Sequence, residues 1–574
     1  MRRPPYPGKF VGCCALACAS TFACLPTHVR AQEPMNASAK LCQEDSVRVG
    51  LPRQFNARPI RNVDIVTHGP RSLRIVGAAL DRVHTRTRVG TIRRELLFSP
   101  GDKLDSLDVS ESLRRLRSLG FLDDAFIVAR SCNSVADADS IDITVVTRDA
   151  WSTSASGSTH GTGGSVGLTE RNVFGTGRAL RLGLQSDQRG FNRSIGLREP
   201  SLFGSDLIGD VRLAQFSHGA SWQAAIVTRR RALVDPWTLD ARAFSYDRGQ
   251  KDLTSGSSKR VSVSGIIGRR ISDVDADRAL YFLTGAEGLN SRFAAAPNEF
   301  TIGPAGRQRQ YVGALVGLGV QATHFDTLSW LLPSGGIVDV PDGVETQFVV
   351  GPGRDFMNHQ YAAHLDSWIG AAHTMGSKSV VYSDAWISVF AGNADLQQST
   401  LRASVVAARR ASRGLWSLRL TADHMRSLDP DARIMGSVDV TSRLLTPTFR
   451  IANDAVALSA ERSVHLREIV RGSMLDAALY VAGSLRHEPT SSQIGLPSQT
   501  FEQILPAHPS VDVSVIAFGT GLRLVPSRSP RSTIRLDVGF ASIKTIGVRN
   551  KPYIALSVLP WIATGRRRDA GRLQ

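Results

Sequence analysis

Between Trp151 and Trp561 apolar and polar residues take turns one for one, and this limits the fold more than any other feature of the chain. Leu180, Leu182 and Leu184 alternate with Arg181, Gly183 and Gln185. Trp416, Leu418, Leu420 and Ala422 alternate with Ser417, Arg419, Thr421 and Asp423, and Ile534, Leu536, Val538 and Phe540 with Thr533, Arg535, Asp537 and Gly539. A period of two is that of a β-strand, whose successive side chains point to opposite faces. A strand with Arg or Asp at its middle cannot be buried on both faces, because an unpaired buried charge is very costly. One face therefore meets an apolar phase and the other meets water. Segments of about ten residues, separated by Gly-, Ser- and Asp-rich turns, match a transmembrane β-barrel. In lipid the sheet must close, since an open edge leaves backbone groups unsatisfied. A large soluble β-sandwich or propeller is the competing all-β reading, and an aromatic content of 7% speaks for it. Roughly twenty candidate segments can be marked along the chain.

Composition agrees with the barrel. Of 574 residues 42% are hydrophobic, too many for a disordered chain and too few for a helical membrane protein. Beyond the first 31 residues no run of about 18 apolar residues exists, which excludes a helix bundle in the membrane. Arg2, Arg3 and Lys9 precede an apolar stretch from Phe10 to Leu25, with Val29-Arg30-Ala31 before Gln32. That is the layout of a cleaved secretory signal over residues 1–31. Its removal takes Arg2, Arg3, Lys9 and Arg30 with it and lowers the formal net charge from +18 to +14. Cys13, Cys14, Cys18 and Cys24 leave too, so Cys42 and Cys132 remain. In an oxidising compartment these two are a disulfide candidate closing a loop of about 90 residues; two free thiols are the alternative.

A linker over residues 32–57 leads to a small α+β unit over residues 58–149. Ile60 to Thr67 reads as a strand and Thr91 to Phe98 as a short helix. Asp108 or Ser110 is expected to cap a second helix carrying Leu113, Leu116 and Leu119 on one face, with Gly120 ending it. Phe121 to Arg130 and Ile141 to Thr147 complete a β-α-α-β-β order with an exposed edge strand, able to recruit an extended peptide by strand addition. The barrel is expected over residues 150–562 and a basic tail over residues 563–574.

Several blocks carry a family resemblance: Arg148-Asp149-Ala150-Trp151 at the junction, Glu170-Arg171-Asn172-Val173-Phe174-Gly175-Thr176-Gly177 after the second barrel strand, and Arg198-Glu199-Pro200-Ser201-Leu202-Phe203-Gly204. Gly521-Leu522-Arg523-Leu524 and Arg535-Leu536-Asp537-Val538 resemble the closing strands. Through them the chain resembles the BamA/TamA-like outer-membrane insertase and translocase superfamily, over residues 58–562, and the small unit resembles a POTRA domain. The resemblance implies a barrel of sixteen strands, fewer than the local count. It also implies a motif at the beginning of the barrel on Asn172, Phe174, Gly175 and Gly177.

The same resemblance implies a lumen loop whose arginine is held by a strand glutamate. In one register Arg443 takes the place of that arginine and Glu461 that of the glutamate, while Leu444 and Leu445 replace the usual Gly and aromatic, and Val481 stands where a lumen-facing Asp is usual. Arg471-Gly472 is the competing match. Charge-assisted hydrogen bonds are the anchor in either case.

Catalytic and metal motifs are not found. Gly163-Gly164-Ser165-Val166-Gly167 has the letters of a hydrolase elbow, but such an elbow needs a strand–turn–helix setting and this string enters a strand. His359 and His364, five apart in an alternating segment, point to opposite faces and suit no metal. No cofactor is expected. The leading expectation is a non-enzymatic outer-membrane barrel that assists insertion, assembly or translocation of polypeptides, with its POTRA-like domain in the periplasm. Its expected partners are unfolded outer-membrane or exported polypeptides, outer-membrane lipid or lipopolysaccharide, and a periplasmic protein meeting the small domain. Nucleic acid is excluded by the compartment. The alternative is a passive pore or structural barrel that has lost insertase activity.

Overall fold

The computed structural model describes residues 42–560 apart from 48–55, 71–84, 133–139, 249–256, 295–307, 428–453, 489–510 and stretches of six residues or fewer at strand connections. The expected signal over residues 1–31, the expected basic tail over residues 563–574, Arg443, Arg471 and Gly472 lie outside the described residues.

An N-terminal module comes first. It contains β1 (Cys42–Val47), β2 (Ile60–His68), α1 (Val89–Arg93), α2 (Ser106–Ser118), β3 (Leu122–Cys132) and β4 (Ile141–Asp149). The sheet order is β1-β3-β4-β2, with β2 parallel to β4 and the other pairs antiparallel. In β4 Ile141, Ile143 and Val145 face the helices at every second position, and in α2 Val109, Leu113 and Leu116 return at helical spacing. All are buried with Ile60, Ile92, Phe98, Leu104 and Ile127 in one core. Fully burying each such side chain contributes about 1.5–3 kcal/mol.

The first helix runs over five residues, not Thr91 to Phe98. The second is capped earlier than expected, by Asp105, whose carboxylate accepts from the Leu107 N–H at 2.8 Å. It ends on an extended Leu119, without a left-handed Gly120. Residues 105–110 offer Asp, Ser, Asp and Ser within six positions, so composition alone does not choose the cap.

The barrel begins with five strands of modest length: β5 (Thr153–His160), β6 (Gly163–Val173), β7 (Arg178–Asp187), β8 (Gly190–Glu199) and β9 (Leu207–Phe216). β10 (Gly219–Thr228), β11 (Trp237–Arg248), β12 (Ser257–Arg270), β13 (Arg278–Ala294) and β14 (Arg309–Ala322) follow. A separate hairpin, β15 (Phe325–Leu328) and β16 (Val338–Pro341), interrupts the series. The barrel resumes with β17 (Gly343–Asp355), β18 (Gln360–Met375), β19 (Ser379–Gly392), β20 (Asp395–Ala411) and β21 (Gly414–Ser427). It ends with β22 (Asp454–Val470), β23 (Ser473–Glu488), β24 (Val511–Val525), β25 (Ser532–Lys544) and β26 (Val548–Pro560). Each strand pairs with its neighbours in chain order, β14 with β17 across the hairpin, and β26 returns to β5. Among the described residues the closed sheet has twenty strands, not the sixteen that the family resemblance implies.

The alternation sorts by face as its chemistry requires. Leu182, Leu184, Trp416, Leu418, Leu420, Leu536, Val538 and Phe540 are exposed on the outside. Arg523 and Asp476 are buried on the inside. No helix among the described residues is long and apolar enough to cross a membrane.

Candidate functional site

Five places stand out: the joint between module and barrel, two polar rows on the lumen wall, the hairpin at the mouth facing the module, and the seam between β5 and β26.

The joint is built by the turn between β6 and β7. The Asn172 side chain accepts from the Gly177 N–H at 2.8 Å and donates to Thr87 Oγ1 at 2.9 Å. Thr87 in turn donates from its N–H and its hydroxyl to the Asp149 carboxylate, at 2.9 and 2.6 Å. The Gly175 carbonyl accepts from the Arg88 N–H at 3.0 Å and the Thr91 hydroxyl at 2.9 Å. Gly175 and Gly177 have φ of +74° and +77°. At Gly175 a Cβ would collide with the Arg86 carbonyl, so the close approach itself needs glycine. Phe174 stays 63% exposed at the tip. Three of the four motif residues thus meet the module. Thr87, which completes the network, carries no sequence signal of its own.

On the lumen wall Glu461 of β22 does not wait for a loop. Arg523 of β24 donates to it from Nε and Nη2 at 3.2 and 3.0 Å, and Arg535 of β25 from Nη2 at 2.6 Å. Arg523 also pairs with Asp537. Two cations and two carboxylates form a neutral cluster, and the Arg523 side chain is 1% exposed. Beside it the Tyr480 and Tyr553 hydroxyls hydrogen-bond to each other. Val481 is not on this side: it is exposed outward with Leu479 and Leu485. A one-residue offset moves a strand position to the other face, and the inward neighbour is Tyr480.

A second row lies in the other half of the wall. His364 meets Glu287 through Nδ1 at 2.9 Å and Ser388 Oγ through Nε2 at 3.1 Å. These are the distances of a nucleophile–base–carboxylate chain. Yet Ser388 sits mid-strand between β18 and β20, where the backbone pairs in both ladders. Such a wall offers no converging N–H donors for a developing oxyanion. The row braces three strands instead. His359 lies in the turn before β18 with φ of +49°, so it does not alternate with His364. Among the described residues no group of His, Cys, Asp and Glu suits a metal ion.

At the mouth facing the module, the β15–β16 hairpin folds against the wall. Leu328, Leu331 and Val340 pack with Ala372, Val380, Ala408 and Leu415. Its other side meets α2: Arg117 pairs with Asp339 at 3.1 Å, and the Arg114 guanidinium lies 4.6 Å from the Phe325 ring centroid. Arg115 reaches Asp206 in the β8–β9 connection at 3.0 Å. Burial pushes the Asp339 carboxyl up, and Arg117 and Arg114 pull it back only in part.

The seam is the thinnest pairing. β26 and β5 share one registered pair, Ser557 with Ser158. Among the described residues every other barrel pair shares at least seven.

A closed antiparallel barrel with apolar rows outside and charged rows inside is a membrane-spanning β-barrel. No family model matches the chain. Among curated proteins it is 31% identical over 123 residues to the outer membrane protein assembly factor BamA of Neorickettsia risticii (strain Illinois), a stretch covering 21% of this chain and 16% of that relative. In sequence, then, the chain is similar to a BamA/TamA-like outer-membrane barrel. Among solved structures it is similar to BamA of Haemophilus ducreyi lacking POTRA domains 1–3, at 13% identity and TM-score 0.36, covering 90% of this chain and 89% of that one. It is similar also to CdiB of Escherichia coli, at 10% identity and TM-score 0.41, covering 90% and 80%.

Proposed function

We propose that this chain is an outer-membrane barrel protein that assists the insertion, assembly or translocation of other polypeptides, without enzymatic chemistry of its own. The module is a POTRA-like domain in the periplasm, and its partners are unfolded outer-membrane or exported polypeptides, envelope lipids including lipopolysaccharide, and a periplasmic protein. The observation that carries this is the seam. Backbone groups left out of the ladder cost several kcal/mol each in lipid, so a wall closed by one registered pair is where an incoming strand is accepted at least cost. The joint holds the module at the mouth from which such a strand would arrive.

The test is a covalent seam. In a chain with Cys42→Ser and Cys132→Ser, Ser158→Cys and Ser557→Cys face each other in the ladder. Oxidation is expected to leave heat-modifiable mobility intact while abolishing the chain's ability to restore outer-membrane protein levels in a deletion strain, and reductant is expected to restore it. A locked barrel that works as well as an open one refutes the seam.

A passive barrel is the second reading, and one observation favours it. Glu461, which the resemblance reserves for a loop arginine, is already occupied by Arg523 and Arg535. An outer-membrane proteome unchanged by deletion decides for that reading.

A further inference from the structure

The edge strand expected to recruit a peptide already holds one. β1 (Cys42–Val47) runs antiparallel along the outer side of β3, from Val47 opposite Ile127 to Cys42 opposite Cys132. The order β1-β3-β4-β2 places it where a strand from another chain would otherwise add.

Its sequence is a poor strand by itself. Cys-Gln-Glu-Asp-Ser-Val contains two residue types depleted from strands, Glu and Asp, and Val47 alone is a strong β former. With the cleavage after Ala31 that the sequence leads one to expect, ten residues precede it in the mature chain. A short polar strand of this kind is a weak occupant unless something else fixes it.

The register supplies that something. Directly opposed residues of an antiparallel pair have Cα atoms about 4.5 or 5.5 Å apart, inside the roughly 4.4–6.8 Å that a disulfide spans. Cys42 and Cys132 are such a pair, and they are the last two cysteines of the chain beyond Cys24.

We propose that the outer edge of β3 is a polypeptide-binding edge, that Cys42–Val47 is its built-in, displaceable occupant, and that a Cys42–Cys132 disulfide locks the occupant in place. Formation is thiol–disulfide exchange: the two thiols reduce a disulfide-bonded donor of the envelope to its dithiol form while the Cys42–Cys132 bond forms. Attack by a dithiol reductant reverses it and frees the edge. The idea rests on the reading of the module as periplasmic and polypeptide-binding, and it adds a redox condition to that reading.

Two measurements on the full mature chain decide it. Maleimide-polyethylene-glycol tagging of protein isolated without reductant and denatured in the reagent is expected to add no tag before reduction and two after. Two tags without reduction overturn the lock. Next, Arg130→p-benzoylphenylalanine is placed on the edge and irradiated with a urea-unfolded, fluorescent eight-stranded outer-membrane barrel polypeptide as probe. Crosslinking is expected to be at least fivefold greater in the reduced chain, and equally so in Cys42→Ser and in Cys132→Ser, than in the oxidised chain. Equal yields, or no crosslink in any state, overturn the displaceable occupant. Neither readout involves assembly activity, so a passive barrel can pass both, and an active assembly factor can fail either.

Discussion

Arg523 shows what a strand charge reports. Sequence alternation alone sets Arg523, Arg535 and Asp537 on the inward rows of β24 and β25, and an inward charge demands a partner. Glu461 was legible through resemblance, but which cation it holds depends on the register of four strands, and no local pattern encodes that. The structure gives it wall arginines. Removing one partner from a buried pair leaves a charge uncompensated, at about 3–5 kcal/mol. Arg523→Ala is therefore expected to lose about that much, read from urea unfolding of the barrel in vesicles. Arg523→Lys keeps the charge but loses the fork that serves two carboxylates, and should recover only part. Gly175→Ala acts elsewhere. Its φ of +74° and the Arg86 carbonyl leave no place for a methyl group, so limited proteolysis should cut at the module joint while heat-modifiable mobility of the barrel stays as it was. The motif's letters were visible in the sequence; that Thr87 and Asp149 complete the joint was not, because both contacts span more than 60 residues.

At the scale of elements, the strands were the most readable part and the hairpin the least. Period two survives in most barrel strands because each has one lipid face, and the local count of roughly twenty matches the sheet. β15 and β16 have four residues each, too few for a period to show. Their role comes from packing against β18–β21 on one side and α2 on the other. The raised Asp339 carboxyl gives this docking a pH dependence. Because the docked state holds the proton more tightly than the released one, docking is at full strength below the ordinary carboxylate pKa of about 3.9 and weakens as pH rises through the raised value. A fluorine label on Trp330, which packs on the same cluster, should report a released fraction that grows with pH. Asp339→Asn should flatten the curve, and a wild-type signal that does not move with pH would count against it. Arg117→Ala leaves the buried Asp339 carboxylate without its closest cation and should shift the equilibrium to the released state at neutral pH.

The whole molecule is a wall of uneven height. β5 to β10 have 8–11 residues, whereas β18, β20, β22 and β23 have 16 or 17. At about 3.4 Å per residue and a tilt near 40°, ten residues rise about 26 Å, enough for one apolar belt, and seventeen rise about 44 Å. The shorter side borders the seam between β5 and β26. Paired outward residues mark the belt's limits: Arg269 beside Trp237 and Arg462 beside Trp416 at the module end, and Arg354 beside Phe356 at the other. An aromatic face with a cation at its rim suits the headgroup level. This sharpens a test of the membrane assignment that a soluble barrel would fail. Leu420 points outward four residues beyond Trp416, about 10 Å into the belt, and Thr421 points inward beside it. Leu420→Arg should cost about 2–4 kcal/mol of folding into vesicles, the range for an arginine near the bilayer midplane. Thr421→Arg, on the watered face, should cost far less. Were the outer rows solvated, the two substitutions would cost the same, and the alternation that dictates this fold would need another explanation.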